Sequence, residues 1–98
     1  MVFRLLDTVI RGKNKDMKTA KYFTASWCGP CKMFKPIMKE IEREGHSIQF
    51  IDIDHDENDL MEKYNIQAVP TTIIEVNGKE INRFTGPKPK QEVLDRLA

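Results

Sequence analysis

The sequence predicts an α/β fold, a central mixed sheet of four to five strands flanked by helices on both faces. Three observations carry this. Runs with strand-like and helix-like apolar patterns alternate through the first two thirds of the chain. Two β-patterned runs joined by Asn77-Gly78 then form a hairpin signal, and one more helical run closes the sequence. Alternation favours parallel pairing across helical crossovers, and an Asn-Gly hairpin adds an antiparallel pair. A chain of 98 residues has room for one core, so residues 1–98 read as one domain.

Each element has its own signal. Residues 2–6 read as a short first strand, and residues 7–10 fit either a brief helix or its continuation. Residues 11–18 are polar and mostly basic, a solvated connector. Residues 21–25 are apolar enough for a central strand. From Cys31 onwards Met33, Phe34, Ile37, Met38 and Ile41 recur at helical spacing, with Met33 and Phe34 expected in the core. Pro36 lies inside this helix, removes one backbone hydrogen bond and predicts a kink. Gly45 supplies the stop. Residues 48–54 alternate into a strand, and a short helix follows to Tyr64 with Asn58 or Asp59 as its cap. Residues 71–76 and 79–85 form the hairpin. The last helix opens around Lys88-Pro89 and buries Val93, Leu94 and Leu97.

Composition removes several function classes. Sixteen cationic and fifteen anionic side chains leave a net charge of +1, which gives no support for nucleic acid as a partner. No apolar run reaches the roughly 18–20 residues that cross a bilayer, so no membrane role is expected. The apolar start is short and interrupted by Asp7, unlike a signal peptide, and a cytoplasmic location is the expectation.

The chemistry is concentrated in Trp27-Cys28-Gly29-Pro30-Cys31, which holds both cysteines of the chain. A strand pattern leads in and a helical pattern leads out, placing the pair at a helix N-terminus. Unpaired N–H groups and the positive end of the helix dipole favour a thiolate there, and a thiolate is the nucleophile of thiol–disulfide exchange. A structural staple is a poor reading, because the loop it would close is almost nil. Zinc fits poorly too. It asks for about four ligands, and the only histidines, His46 and His55, stand at unrelated distances. The acidic run from Asp52 through Asp54, Asp56 and Asn58 imitates a calcium loop, but Glu57 occupies the position that requires glycine and Lys63 the position of the closing glutamate. It reads as a strand end feeding a capped helix, with His55 exposed and idle.

Trp27-Cys28-Gly29-Pro30-Cys31-Lys32 together with Ala68-Val69-Pro70-Thr71 resembles the thioredoxin family, from about Lys21 to Leu97. Pro36, Asn77-Gly78 and Gly86 also fall where that family has equivalent residues. The resemblance implies a thioredoxin fold with a shortened N-terminal part and a protein-disulfide reductase without bound cofactor or metal. It implies Cys28 as the exposed attacking thiolate and Cys31 as the resolving thiol, the two forming the redox disulfide. Gly29 and Pro30 shape the helix entry, and in this family Gly-Pro accompanies reducing members. Pro70 is expected in a cis peptide bond, with the backbone of Val69 free to pair with an extended substrate segment. Trp27, Gly29, Pro30, Val69, Pro70, Gly86 and Pro87 would make an uncharged docking surface for disulfide-containing proteins. No Gly-rich dinucleotide fingerprint is present, so a separate thioredoxin-reductase-like partner would recharge a monomer.

One position departs from the family pattern. The usual buried aspartate six residues before the first cysteine is Tyr22 here. An ordinary phenol, with a pKa near 10, is no base at neutral pH. Either Tyr22 orients a water or the Cys31 thiol while a carboxylate such as Asp52 accepts the proton, or the resolving step is slow. Two other functions stay open at this level: a glutaredoxin-like dedicated electron donor, for example to a ribonucleotide reductase, and a redox-inactive binding module.

Overall fold

A computed structural model describes residues 17–98. The expectations for residues 2–6 and 7–10, and most of the 11–18 connector, lie outside that range. The elements are β1 (Lys18–Thr24), α1 (Gly29–Arg43), β2 (Ser47–Asp52), a 3₁₀ turn (Ile53–His55), α2 (Leu60–Lys63), β3 (Thr71–Val76), β4 (Lys79–Thr85) and α3 (Lys90–Leu97). The strands form one mixed sheet in the order β2-β1-β3-β4. Strand β1 runs parallel to β2 and antiparallel to β3, so the crossover helix α1 and the Asn-Gly hairpin play the parts their sequence signals assign. Among the described residues no helix is long and apolar enough to cross a membrane.

Strand alternation divides the core in two. Ala20 and Tyr22 of β1 and Ile74 of β3 pack with Phe34, Met38 and Ile41 of α1 and Val93 and Leu97 of α3. On the other face Phe23, Ile51, Ile66 and Ile73 pack with Leu60, Met61 and Tyr64 around α2. Helices therefore cover both faces. Lys90 at the start of α3 pairs with Glu40 and Glu44 near the end of α1, joining the two helices of the first face.

Several local expectations need correction. Strand β1 begins at Lys18, within the stretch read as connector, because its ladder with β3 continues to Val76. The strand read through residue 54 ends at Asp52, where the Asp52 carboxylate accepts the Asp54 N–H at 2.9 Å and turns the chain into the 3₁₀ turn. Met33 is 73% exposed, since the buried stripe of α1 is Cys31, Phe34, Met38 and Ile41 and Met33 falls off its edge. Asp59 is the N-cap residue of α2, one of the two residues expected there, but its side chain does not do the capping. Asp59 sits in the left-handed region at φ 53° without a capping bond, and Asp56 accepts the N–H groups of Leu60 and Met61 at 2.9 and 2.6 Å. Helix α3 starts at Lys90, with Pro89 as its cap residue.

The hairpin turn follows its sequence. Asn77 and Gly78 both take positive φ, 54° and 81°, as a two-residue turn of this twist requires. Further along, Ile74 opposes Asn82 but Glu75 opposes Glu80, leaving Ile81 unmatched as a β-bulge.

Candidate active site at the Cys28–Cys31 pair

The pair sits where β1 hands over to α1. A tight turn brings the Cys28 N–H to the Ala25 carbonyl at 3.2 Å, so the chain enters α1 with Cys28 as its cap residue, in extended conformation. Pro30 occupies the first turn of the helix, where no intrahelical N–H partner is lost. The Cys31 N–H then donates to Cys28 Sγ at 3.2 Å. A sulfur fills the place that serine or aspartate usually takes, and an N–H aimed at that sulfur favours its anionic form.

Cys28 and Cys31 are joined as a disulfide with their Cα atoms 5.2 Å apart. Cys31 is 1% exposed and Cys28 only 5%. The expectation of an exposed Cys28 is corrected here, because Ala25, Ile53 and Val69 pack around the two sulfurs. The asymmetry between them survives in direction: Cys28 is at the helix end and Cys31 one turn inside.

The second loop of the site approaches from the start of β3. The Val69–Pro70 peptide bond is cis, and the Val69 carbonyl oxygen lies 3.6 Å from Cys28 Sγ. Thr71 closes the loop by donating its hydroxyl to the Ala68 carbonyl at 2.6 Å, and the Gly86 N–H donates to the Pro70 carbonyl at 2.8 Å. Gly86 holds φ at +80°, which glycine adopts freely. Of the expected docking residues, Trp27, Gly29, Pro30 and Pro87 are exposed, and Val69 and Gly86 are half-buried. Pro70 is buried beneath them and offers shape rather than surface.

Trp27 is 64% exposed, yet it is not free to swing. Its indole N–H donates to Asp54 Oδ2 at 2.9 Å, and Asp54 is fixed in turn by Asp52. Sequence reasoning missed this anchor. The acidic run 52–59 marks where carboxylates are, but not which of them meets an indole.

Tyr22 is fully buried, edge-on to Phe34 and Phe50 at centroid distances of 5.7 and 5.6 Å. Its hydroxyl donates to the Cys31 carbonyl at 3.4 Å, a long bond that touches the backbone of the resolving residue and not the thiol. Burial pushes the phenol above its ordinary pKa, so Tyr22 is neutral at physiological pH.

This geometry can be set beside known proteins. The family model described as Thioredoxin matches residues 8–98, reaching further upstream than the motifs alone. The chain belongs to the thioredoxin family. It is 30% identical over 95 residues to thioredoxin of Listeria monocytogenes, covering 95% of this chain and 92% of that protein. It is 36% identical over 77 residues to an H-type thioredoxin of Fagopyrum esculentum, covering 78% of this chain and 66% of that protein, so it spans slightly under two thirds of this plant relative. Among solved structures, thioredoxin of Fasciola hepatica superposes with a TM-score of 0.76 at 29% identity, covering 88% of this chain and 86% of that one. With its CxxC pair closed at the mouth of α1, this thioredoxin-family chain is a thiol–disulfide oxidoreductase.

Proposed function

We propose that the chain reduces disulfides of other proteins, with Cys28 attacking and Cys31 resolving. One observation supports this division of labour: Cys28 Sγ receives the Cys31 N–H at the open end of α1, so Cys28 is the sulfur favoured as thiolate. In the reduced protein the Cys28 thiolate attacks one sulfur of a substrate disulfide. A mixed disulfide forms and the first substrate sulfur leaves as thiolate. Cys31 then attacks Cys28 Sγ, closing the intramolecular disulfide and releasing the second substrate thiolate. Two electrons have passed from the dithiol to the substrate. The Val69 carbonyl, 3.6 Å from Cys28 Sγ, stands ready to pair with the backbone of an extended substrate segment. Trp27, Gly29, Pro30, Gly86 and Pro87 frame the approach without charge.

A separate thioredoxin-reductase-like enzyme would reopen the disulfide. A reducing, cytoplasmic setting with the chain acting as a monomer fits such a donor. Incubation with a disulfide-bonded substrate tests the assignment directly. Cys31→Ser is expected to accumulate a stable mixed disulfide detectable by mass, and Cys28→Ser is expected to capture nothing. Capture by Cys28→Ser would reverse the roles. Recharging by glutathione alone, at the rate seen with a thioredoxin reductase, would instead make the chain a glutaredoxin-like donor.

A further inference from the structure

Resolution requires Cys31 to give up its S–H proton, and at 1% exposure it has little direct access to solvent. Tyr22 cannot take that proton. Its O–H already points at the Cys31 carbonyl, and burial keeps the phenol protonated. The way out lies on the other side of the residue. A cavity of about 150 Å³ is lined by Cys31, Thr24, Ser26, Lys32, Lys35 and Asp52. Asp52 is the only carboxylate among them, and the volume holds a few waters at roughly 30 Å³ each.

We infer that Asp52 accepts the Cys31 proton through this cavity, acting in place of a base on β1. The Cys31 proton passes by way of water to the Asp52 carboxylate, and the Cys31 thiolate attacks Cys28 Sγ. The bond between Cys28 and the substrate breaks, the substrate leaves as thiolate, and Asp52 returns its proton to solvent while the substrate thiolate takes one up. The charged surroundings suit the task. Lys32 and Lys35 of α1 face the cavity, with Asp54, His55, Asp56 and Glu57 on the turn beyond Asp52 and neutral Tyr22 on β1. Asp52 also has a structural duty, accepting the Asp54 N–H at 2.9 Å, and that duty needs an oxygen but no titratable charge.

Asp52→Asn therefore separates the two roles. The experiment follows reduced protein mixed with a disulfide-bonded substrate in single turnover between pH 5.5 and 9, timing capture and resolution separately. In Asp52→Asn the resolving step is expected to slow by about tenfold or more at pH 7, the modest end of what a positioned base supplies. Its rate should climb steadily with pH in place of the wild-type plateau. Capture should keep its rate, and Glu57→Gln, which removes a nearby exposed carboxylate, should match the wild type throughout. A resolution profile for Asp52→Asn that overlays the wild type overturns the inference. So does an equal loss in Glu57→Gln, or a parallel loss in capture, since either marks a general field effect. If Asp52→Asn does not fold, Asp52→Ser carries the same test, its hydroxyl still able to accept the Asp54 N–H. The inference rests on the exchange sequence proposed above. A wild type that never captures substrate would sink that sequence, whereas an Asp52→Asn that resolves as fast as the wild type sinks only the role of Asp52.

Discussion

On the face turned to α1 and α3, β1 contributes Ala20 and Tyr22, which pack among the apolar side chains Phe34, Met38, Ile41, Ile74 and Val93. On the opposite face the same strand contributes Lys21 and Phe23, and charge enters the core. Glu75 of β3, 2% exposed, accepts from Lys21 Nζ and from the Tyr64 hydroxyl, each at 2.6 Å. The Lys21 ammonium also stands 5.4 Å from the Tyr64 ring centroid. Two tyrosines thus serve opposite ends. Tyr64 joins a fully paired network, and Tyr22 makes one long bond to the active-site helix. A buried carboxylate is tolerated on this sheet where a cation and a hydroxyl satisfy it. Tyr22, by contrast, makes a single bond to a carbonyl, which a neutral phenol can donate and a carboxylate cannot.

If apolar packing dominates the interior of the first face, truncating its centre should have the largest effect. Phe34→Ala, which removes a fully buried ring touching Tyr22 and Phe84, is expected to lower unfolding stability by about 3–5 kcal/mol in urea titration. The loss should be nearly the same across neutral and mildly acidic pH.

The charged face should respond differently. Lys21→Met leaves Glu75 buried with Tyr64 as its remaining donor. Unpairing a buried charge usually costs about 3–5 kcal/mol, but Lys21 keeps some contact with water, so a loss of about 2 kcal/mol is expected. This face should also titrate. Burial alone would push the Glu75 carboxyl up, but the hydrogen bonds from Lys21 and Tyr64 outweigh it and hold the group below its ordinary value. Its contribution is then fully present above the unfolded carboxylate range and lost as pH falls through the lowered folded value. Glu75→Gln should accordingly be less stable than the wild type at neutral pH, with the gap closing on acidification. A gap that stays constant in urea midpoints from pH 7 downward would remove the electrostatic account of this face.

The smallest expected effect belongs to the α2 cap. Asp56→Ala frees the N–H groups of Leu60 and Met61 and should cost about 1 kcal/mol, with exchange protection lost first at those two amides. An unchanged exchange pattern would mean that packing, not Asp56, holds the first turn of α2.

Much of this was legible because the signals were local. The hairpin was written in Asn77-Gly78, the end of α1 in Gly45, and the chemistry in five consecutive residues. What escaped the sequence depended on partners distant along the chain. Glu75 follows four residues read as plain strand, and nothing in their order says that Lys21 and Tyr64 will meet it. Asp59 does hold the N-cap position of α2, but several acids in a row could each supply the capping oxygens, and only the backbone path selects Asp56. Met33 read as core because a helical stripe has two edges, and periodicity does not say which one meets the sheet. Cys28 read as exposed because its cover comes from Ile53 and Val69, on two other loops.

The bulge at Ile81 has a consequence at the far end of its strand. From the turn to the pair Glu75 and Glu80 the hairpin counts as a plain ladder, and from Ile74 and Asn82 onward it counts one residue out of step. Carried to the end of the ladder, that offset brings Gly86 opposite Pro70, whose carbonyl its N–H engages. Were Ile81 paired in step with Ile74 instead of bulged, the same count would bring Gly86 opposite Val69. The chain would then face the carbonyl beside Cys28 with an N–H of its own. An exposed isoleucine at the other end of the strand thereby decides which of two adjacent carbonyls Gly86 engages.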